Sequence, residues 1–298
     1  MPEYPDVIVY LEALERHVVA KPINKITVKG ISVLKSFDPP INSLEGQAAT
    51  GTRRLGKRLI LTFPDDIYLV IHLMVAGRLY WREPGAKTGS KTLLMQFAFE
   101  HGVLQLTEAA SKKRASVWVV RGEEQLLADH DRGGLEPLEI DLETFAARLT
   151  EQNRTLKRAL TMPAIFSGIG NAYSDEILLH AGLTPVKRTG QLSDDEIERL
   201  YASVQSTLVD YADRIRAEVG DGFPTKVTAF RPDMGVHGKF GEPCPVCESP
   251  VQRIVYASNE VNYCATCQNG GKMLADRSLS RLLKDDWPKT IEELDGND

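Results

Sequence analysis

The chain is poor in cysteine, in aromatic residues and in long apolar runs, and each shortage closes off a class of protein. All four cysteines fall between residues 244 and 267, so no disulfide framework spreads over the 298 residues. No apolar stretch reaches the roughly 20 residues that a membrane-spanning helix needs. Glu3, Asp6, Glu12 and Glu15 stand where a secretory leader would be basic and then apolar, and the expectation is a cytoplasmic protein without a membrane partner. Basic residues do not outnumber acidic ones: 36 against 41 give a net charge of -5, which counts mildly against a polyanion as partner. With 23 glycines and 16 prolines the chain is neither collagen-like nor low in complexity, and 42% apolar residues suffice for two packed domains and a small extra module.

The charge distribution qualifies the net figure. Arg53-Arg54-Leu55-Gly56-Lys57-Arg58, Lys112-Lys113-Arg114, the stretch from Arg154 to Arg158 with Lys157 inside it, and Lys187-Arg188 are local basic runs. Each alone is an ordinary solvated face; converging in space they would form a groove for nucleic acid.

The cysteines are the sharpest motif. Cys244-Pro-Val-Cys247 and Cys264-Ala-Thr-Cys267 are two knuckles separated by sixteen residues, 248–263. Two thiolates on each tight turn fill two corners of a tetrahedron, and a hairpin of this length returns the second pair to the same metal. The reading is one structural Zn2+ held by Cys244, Cys247, Cys264 and Cys267, with no open position for catalysis.

Val7, Leu11, Leu14 and Val18 recur at helical spacing. Strands are expected over Lys25 to Val33, Leu59 to Phe63, Ile67 to Leu73, Gly77 to Trp81, Leu93 to Phe99, Val103 to Thr107 and Ala115 to Arg121, with turns at Pro64-Asp65-Asp66 and Glu100-His101-Gly102. These make an antiparallel sandwich or flattened barrel. From Leu142 to Arg216 helical periodicity takes over, with one helix after Gly168-Ile169-Gly170-Asn171 and another from Ser193 through Ala212.

Met1-Pro2-Glu3 offers chemistry. Removal of Met1 would leave Pro2 with a secondary amine of pKa about 8, so a usable fraction is neutral near pH 7. Its attack on an aldehyde carbon gives a charged iminium directly, and Glu3 beside it is placed to shuttle protons. A helix starting near Pro5 would lower the amine pKa further. Read alone, such a terminus is ordinary; its company changes that.

Met1-Pro2-Glu3-Tyr4-Pro5-Asp6, Arg54-Leu55-Gly56-Lys57-Arg58-Leu59, His72-Leu73-Met74 with Gly77-Arg78, Gly134-Leu135-Glu136-Pro137-Leu138, Gly168-Ile169-Gly170-Asn171-Ala172-Tyr173-Ser174-Asp175-Glu176 and Val236 to Cys244 follow one another in an order that resembles the formamidopyrimidine-DNA glycosylase and endonuclease VIII family of base-excision repair. The resemblance runs nearly the whole length. It implies an α+β multidomain fold: an N-terminal antiparallel β-sandwich with an N-terminal helix over 1–131, a hinge at 132–140, a helix-two-turn-helix domain over 141–218, a lesion-recognition loop and connector at 219–240, a zinc finger at 241–270 and a tail at 271–298.

It also implies a monomeric, nucleoid-associated DNA glycosylase and abasic-site lyase acting on damaged, oxidised bases. Pro2, Glu3 and Lys57 would be catalytic; Met74 would be the wedge that fills the gap left by a flipped nucleotide; Lys157 and Asn171 would hold phosphates. The chain departs from the family in places. Ala110-Ser111-Lys112-Lys113-Arg114 stands where the rest of the wedge is an Asp-Pro-Arg-Arg-Phe hairpin, leaving Lys113 or Arg114 to serve. Asn259 occupies the position of a phosphate-gripping arginine, and Pro163 replaces a usual Gln. Exchanging that arginine for Asn would cost about 1.5–3 kcal/mol of binding. The competing reading is a damaged-DNA-binding protein of the same fold with little or no turnover.

Overall fold

The structure, a computed structural model, describes residues 1–86, 91–256, 259–275, 289–291 and 293. The short amphipathic piece expected at 279–283 lies outside them. The chain divides into two compact units, Met1–Arg132 with Tyr211–Thr228, and Gly133–Asp210 with Ala229–Asp298.

The first unit opens with α1 (Tyr4–His17), one residue earlier than the proline suggested; Glu3 is its N-cap and donates its backbone N–H to Asp6 Oδ2 at 2.9 Å. The strands follow: β1 (Lys25–Val28), β2 (Gly51–Leu55), β3 (Arg58–Phe63), β4 (Ile67–His72), β5 (Gly77–Arg82), β6 (Leu93–Phe99), β7 (Gly102–Glu108) and β8 (Ser116–Arg121). They form two antiparallel sheets, β1-β6-β7-β5 and β2-β3-β4-β8. Leu59, Leu61, Leu69, Ile71, Val117 and Val119 of one sheet pack with Leu79, Met95, Phe97, Leu104 and Leu106 of the other, and Val7, Tyr10, Leu11 and Leu14 of α1 join them. This is the sandwich expected.

A helix absent from the sequence reading, α2 (Glu123–His130), lies on the outer face of the second sheet. Its Leu126 packs with Ile60, Tyr68, Val70 and Val120, and its Glu123 Oε2 accepts from Arg53 Nη2 at 2.6 Å. The cover explains why Ile67 to Ile71 is a continuous apolar run: both faces of β4 are buried. Three other elements differ from expectation. β1 stops at Val28, and a 3-10 turn occupies Ile31–Val33. The strand β2 holds basic residues that carry no apolar alternation. Gly102 pairs with Phe99 and belongs to β7 rather than to the turn, and it is glycine there because a Cβ would come within 2.1 Å of the Trp81 ring.

The second unit holds α3 (Leu142–Thr150), α4 (Leu156–Thr161), α5 (Asn171–Ala181) and most of α6 (Asp194–Val219), then the hairpin β9 (Gln252–Val255) and β10 (Glu260–Tyr263) and the single turn α7 (Ala265–Asn269). Asp141 caps α3 by accepting the Thr144 N–H at 2.9 Å, and Gly182, at φ +65°, closes α5 in the left-handed conformation that glycine adopts without strain. Phe145 stacks on Phe166 with centroids 4.6 Å apart, and Tyr201 tilts against Phe145. α6 runs past the expected Ala212 to Val219, and its residues from Tyr211 onward are counted with the first unit.

Candidate functional site

In the first unit Pro2 and Glu3 are buried at the start of α1, Glu3 at 3% exposure, while Met1 is half-buried above them. The proline is thus enclosed in the chain that still carries Met1. Burial lowers the pKa of the Met1 amine; Arg78 and Lys57 push the same way against Glu3 and Asp6. That electrostatic neighbourhood brings Lys57 together with the terminus. Lys57 lies in a two-residue hairpin turn between β2 and β3, where Gly56 takes φ +61°, as the first central residue of a type II′ turn must. The hairpin is fastened by Arg54, whose Nη1 donates to the Gly56 carbonyl at 2.6 Å and whose guanidinium lies 4.7 Å from the centroid of the Tyr4 ring on α1. Arg78 is held by the Val227 carbonyl, 2.6 Å from its Nε.

The remaining candidates of this unit sit on its loops. Met74 is not within a strand: it occupies the β4–β5 turn at φ +53° and is half-buried, while Val75 beside it is 57% exposed. Sequence reasoning passed over Val75. Lys113 donates its ammonium to the Glu108 carbonyl. The Arg114 backbone N–H donates to Glu108 Oε2 at 2.8 Å and its side chain is exposed, so of the two cations Arg114 is the one presented to solvent.

In the second unit Lys157, Asn171 and the β9–β10 hairpin converge. Lys157 Nζ donates to the Asn171 carbonyl at 2.6 Å, and Asn171 Nδ2 donates to the Glu260 carbonyl at 2.9 Å, one residue from exposed Asn259. Lys157 is not a solvated cation, however. Its ammonium is 2.5 Å from Asp175 Oδ1, and Asp175, fully buried, meets His237 Nδ1 through Oδ2 at 2.7 Å. Glu176, also fully buried, accepts the backbone N–H groups of Gly235, Val236 and His237 at 2.7, 3.0 and 2.9 Å. Adjacent carboxylates of α5 thereby fix the segment leading to the cysteines. Two acids followed by an apolar run inside a helix were the sequence sign of this network, and they went unused.

The four Sγ atoms of Cys244, Cys247, Cys264 and Cys267 lie within 4.8 Å of one another. A tetrahedron of sulfurs about 2.3 Å from a zinc ion has edges of about 3.8 Å, so the donor set fits. The Cys247 and Cys264 sulfurs are 3.4 Å apart and those of Cys244 and Cys267 4.0 Å. Burial pushes the Cys264 thiol up to about 11 and raises Cys267 too, a cost that a cation removes by binding thiolates. Four thiolates and no open position make this a structural zinc site.

Sequence profiles match three stretches of the chain. The formamidopyrimidine-DNA glycosylase N-terminal domain matches residues 1–114, the H2TH domain of the same proteins matches 134–215, and the zinc finger found in FPG and IleRS matches 241–270. An uncharacterized formamidopyrimidine-DNA glycosylase-like protein of Mycobacterium tuberculosis is 38% identical over 151 residues, 51% of this chain and 94% of that protein. The formamidopyrimidine-DNA glycosylase of Exiguobacterium sibiricum is 30% identical over 279 residues, covering 90% of this chain and 99% of its own. Among solved structures, the Lactococcus lactis Fpg in complex with abasic-site DNA aligns with a TM-score of 0.78 and 25% identity over 90% of this chain and 99% of that one. The same enzyme with DNA containing an oxidised pyrimidine aligns at 0.78 and 26%, over 90% of this chain and 100% of that one. Among the described residues no helix is long and apolar enough to cross a membrane. Sandwich with N-terminal helix, H2TH helices and four-cysteine finger, in this order and at this similarity, place the chain in the formamidopyrimidine-DNA glycosylase family of DNA repair.

Proposed function

We propose that this protein excises oxidised bases from DNA and nicks the strand, acting as a bifunctional glycosylase and abasic-site lyase through Pro2. The observation that carries the reading is the enclosure of Pro2 and Glu3 at the start of α1 with Lys57 in electrostatic reach. Once Met1 is removed, a Pro2 amine in the same surroundings is drawn toward its neutral, nucleophilic form by burial and by Arg78 and Lys57. Its lone pair bonds to C1′ as the bond from C1′ to the damaged base breaks. Glu3 protonates the ring oxygen, the ring opens, and a positively charged iminium joins Pro2 to C1′. Loss of a proton from C2′ then expels the 3′ phosphate, and water releases the sugar. Lys57 steadies a phosphate beside the lesion. Val75 and Met74 fill the gap left by the flipped nucleotide, and Arg114, with Lys113 behind it, meets the partner base. Lys157, Asn171 and Asn259 are the contacts of the second unit with the strand, and zinc holds in shape the hairpin that carries Asn259.

A second reading, a damage-binding protein of low turnover, is favoured by two observations: Asp175 neutralises Lys157, and Asn259 supplies no charge. Borohydride trapping on oligonucleotides bearing an abasic site or an oxidised base separates the two. A covalent adduct that Pro2→Gly abolishes, with mass spectrometry showing Met1 gone, is the expected outcome. Tight binding with no adduct would leave the non-catalytic reading standing.

A further inference from the structure

On the outer face of the β2-β3-β4-β8 sheet, beside α2, lies a cavity of about 630 Å³ whose wall includes none of Pro2, Glu3 or Lys57. Its charged lining is Lys35, Arg58, Arg121 and Arg132 against Asp38 and Asp129, two more positive charges than negative in a chain whose net charge is -5. The positive field is felt nearby. His72 and His130 are held down to about 4, by burial first and then by Arg58, with Arg132 adding to the effect, and Arg58 itself is lowered by burial and by Arg132. Asp129 is the acid that opposes this at His130. Arg58 Nε and His130 Nε2 are buried and have no hydrogen-bond partner among the described residues, and His130 is 3% exposed. A buried N–H without an acceptor is costly, and Arg58 also lines the cavity wall, where an oxyanion can meet a guanidinium.

We propose that this cavity is a second anion site, which takes a phosphate-bearing ligand the size of a nucleotide. Arginine forks match phosphate oxygens, and Arg58 and Arg132 both line the cavity. The volume lies within the range of about 300–1,000 Å³ typical of small-molecule sites and exceeds what one phosphate requires. Trp118, in the wall and edge-on to His130 with centroids 4.9 Å apart, supplies an aromatic surface for a base. The same chemistry is offered by a free nucleotide and by a nucleotide of a DNA strand. The inference does not depend on the chemistry proposed for Pro2.

Isothermal titration of the full-length, zinc-loaded protein with dAMP and with inorganic pyrophosphate at low salt tests it. One-to-one binding is expected, weakened about tenfold or more by Arg58→Gln with Arg132→Gln, as loss of charge-assisted hydrogen bonds implies. The pair Lys35→Gln with Arg121→Gln, both exposed positions, gives the same direction of change with no demand on the fold. Repeating the titration on protein saturated with abasic duplex identifies the source: dAMP binding that disappears assigns the site to the strand, and binding that persists assigns it to the free nucleotide. Absence of binding by both probes overturns the proposal. So does binding that neither double variant weakens.

Discussion

Asp175→Asn removes one charge from the buried centre of the second unit and leaves the shape of the side chain intact. The wild-type carboxylate is fully buried and joins Lys157 at 2.5 Å to His237 at 2.7 Å. Breaking a buried ion pair from one side costs about 3–5 kcal/mol, because the other charge stays behind unpaired. Lys157 keeps the Asn171 carbonyl as an acceptor, and the amide oxygen of Asn still accepts, so the lower end, about 3 kcal/mol, is expected. With a urea slope of about 2 kcal/mol/M this moves the unfolding midpoint down by about 1.5 M. Far-UV circular dichroism follows it, since α3, α4, α5 and most of α6 belong to this unit. The sign of the second substitution is the sharper check: Lys157→Met added to Asp175→Asn removes the stranded ammonium and recovers part of the loss. A single-variant loss below about 1 kcal/mol, or a double variant less stable than Asp175→Asn alone, refutes the assignment of this stability to the ion pair.

Acid destabilises the first unit through His72 and His130. Both imidazoles have folded pKa values lowered to about 4 from the model-peptide value of 6.5, so between those limits the unfolded chain binds more protons. Their contribution is complete above pH 6.5 and is lost as pH falls through about 4, by at most about 3 kcal/mol for each, and His72→Gln flattens the slope of urea stability between pH 7 and 4.5. A slope unchanged by the substitution contradicts it. Chelation of zinc, or Cys264→Ser, releases one metal ion per chain and exposes the amides of β9 and β10 to hydrogen exchange, while the sandwich strands of the first unit retain their protection. Protection of the hairpin that survives metal loss would contradict the structural role of the ion.

What the sequence made legible was what short-range chemistry writes into it. The cysteine spacing announced the finger, the alternating strands gave the sandwich, and the ordered motifs gave the family. Most of what was missed depends on a partner far along the chain. Gly102 reads as a turn residue until Trp81 is seen occupying the space of its Cβ. The strand over Ile67 to Ile71 was legible, but α2, which buries its second face through Leu126, was not. Met74 was singled out and Val75 passed over, although the backbone turns at Met74, φ +53°, and leaves Val75 the more exposed of the two. Lys157 looked like a solvated cation because nothing within its own helix reveals Asp175, eighteen residues on.

The enclosure of the first residues sets an order of events for the proposed chemistry. Glu3 caps α1, which begins at Tyr4, and Pro2 and Glu3 are both buried while Met1 is half-buried. Under that proposal, Met1 is better removed from the nascent chain, before the sandwich closes around its own start, than from the folded protein, where the residues next to it are already packed away.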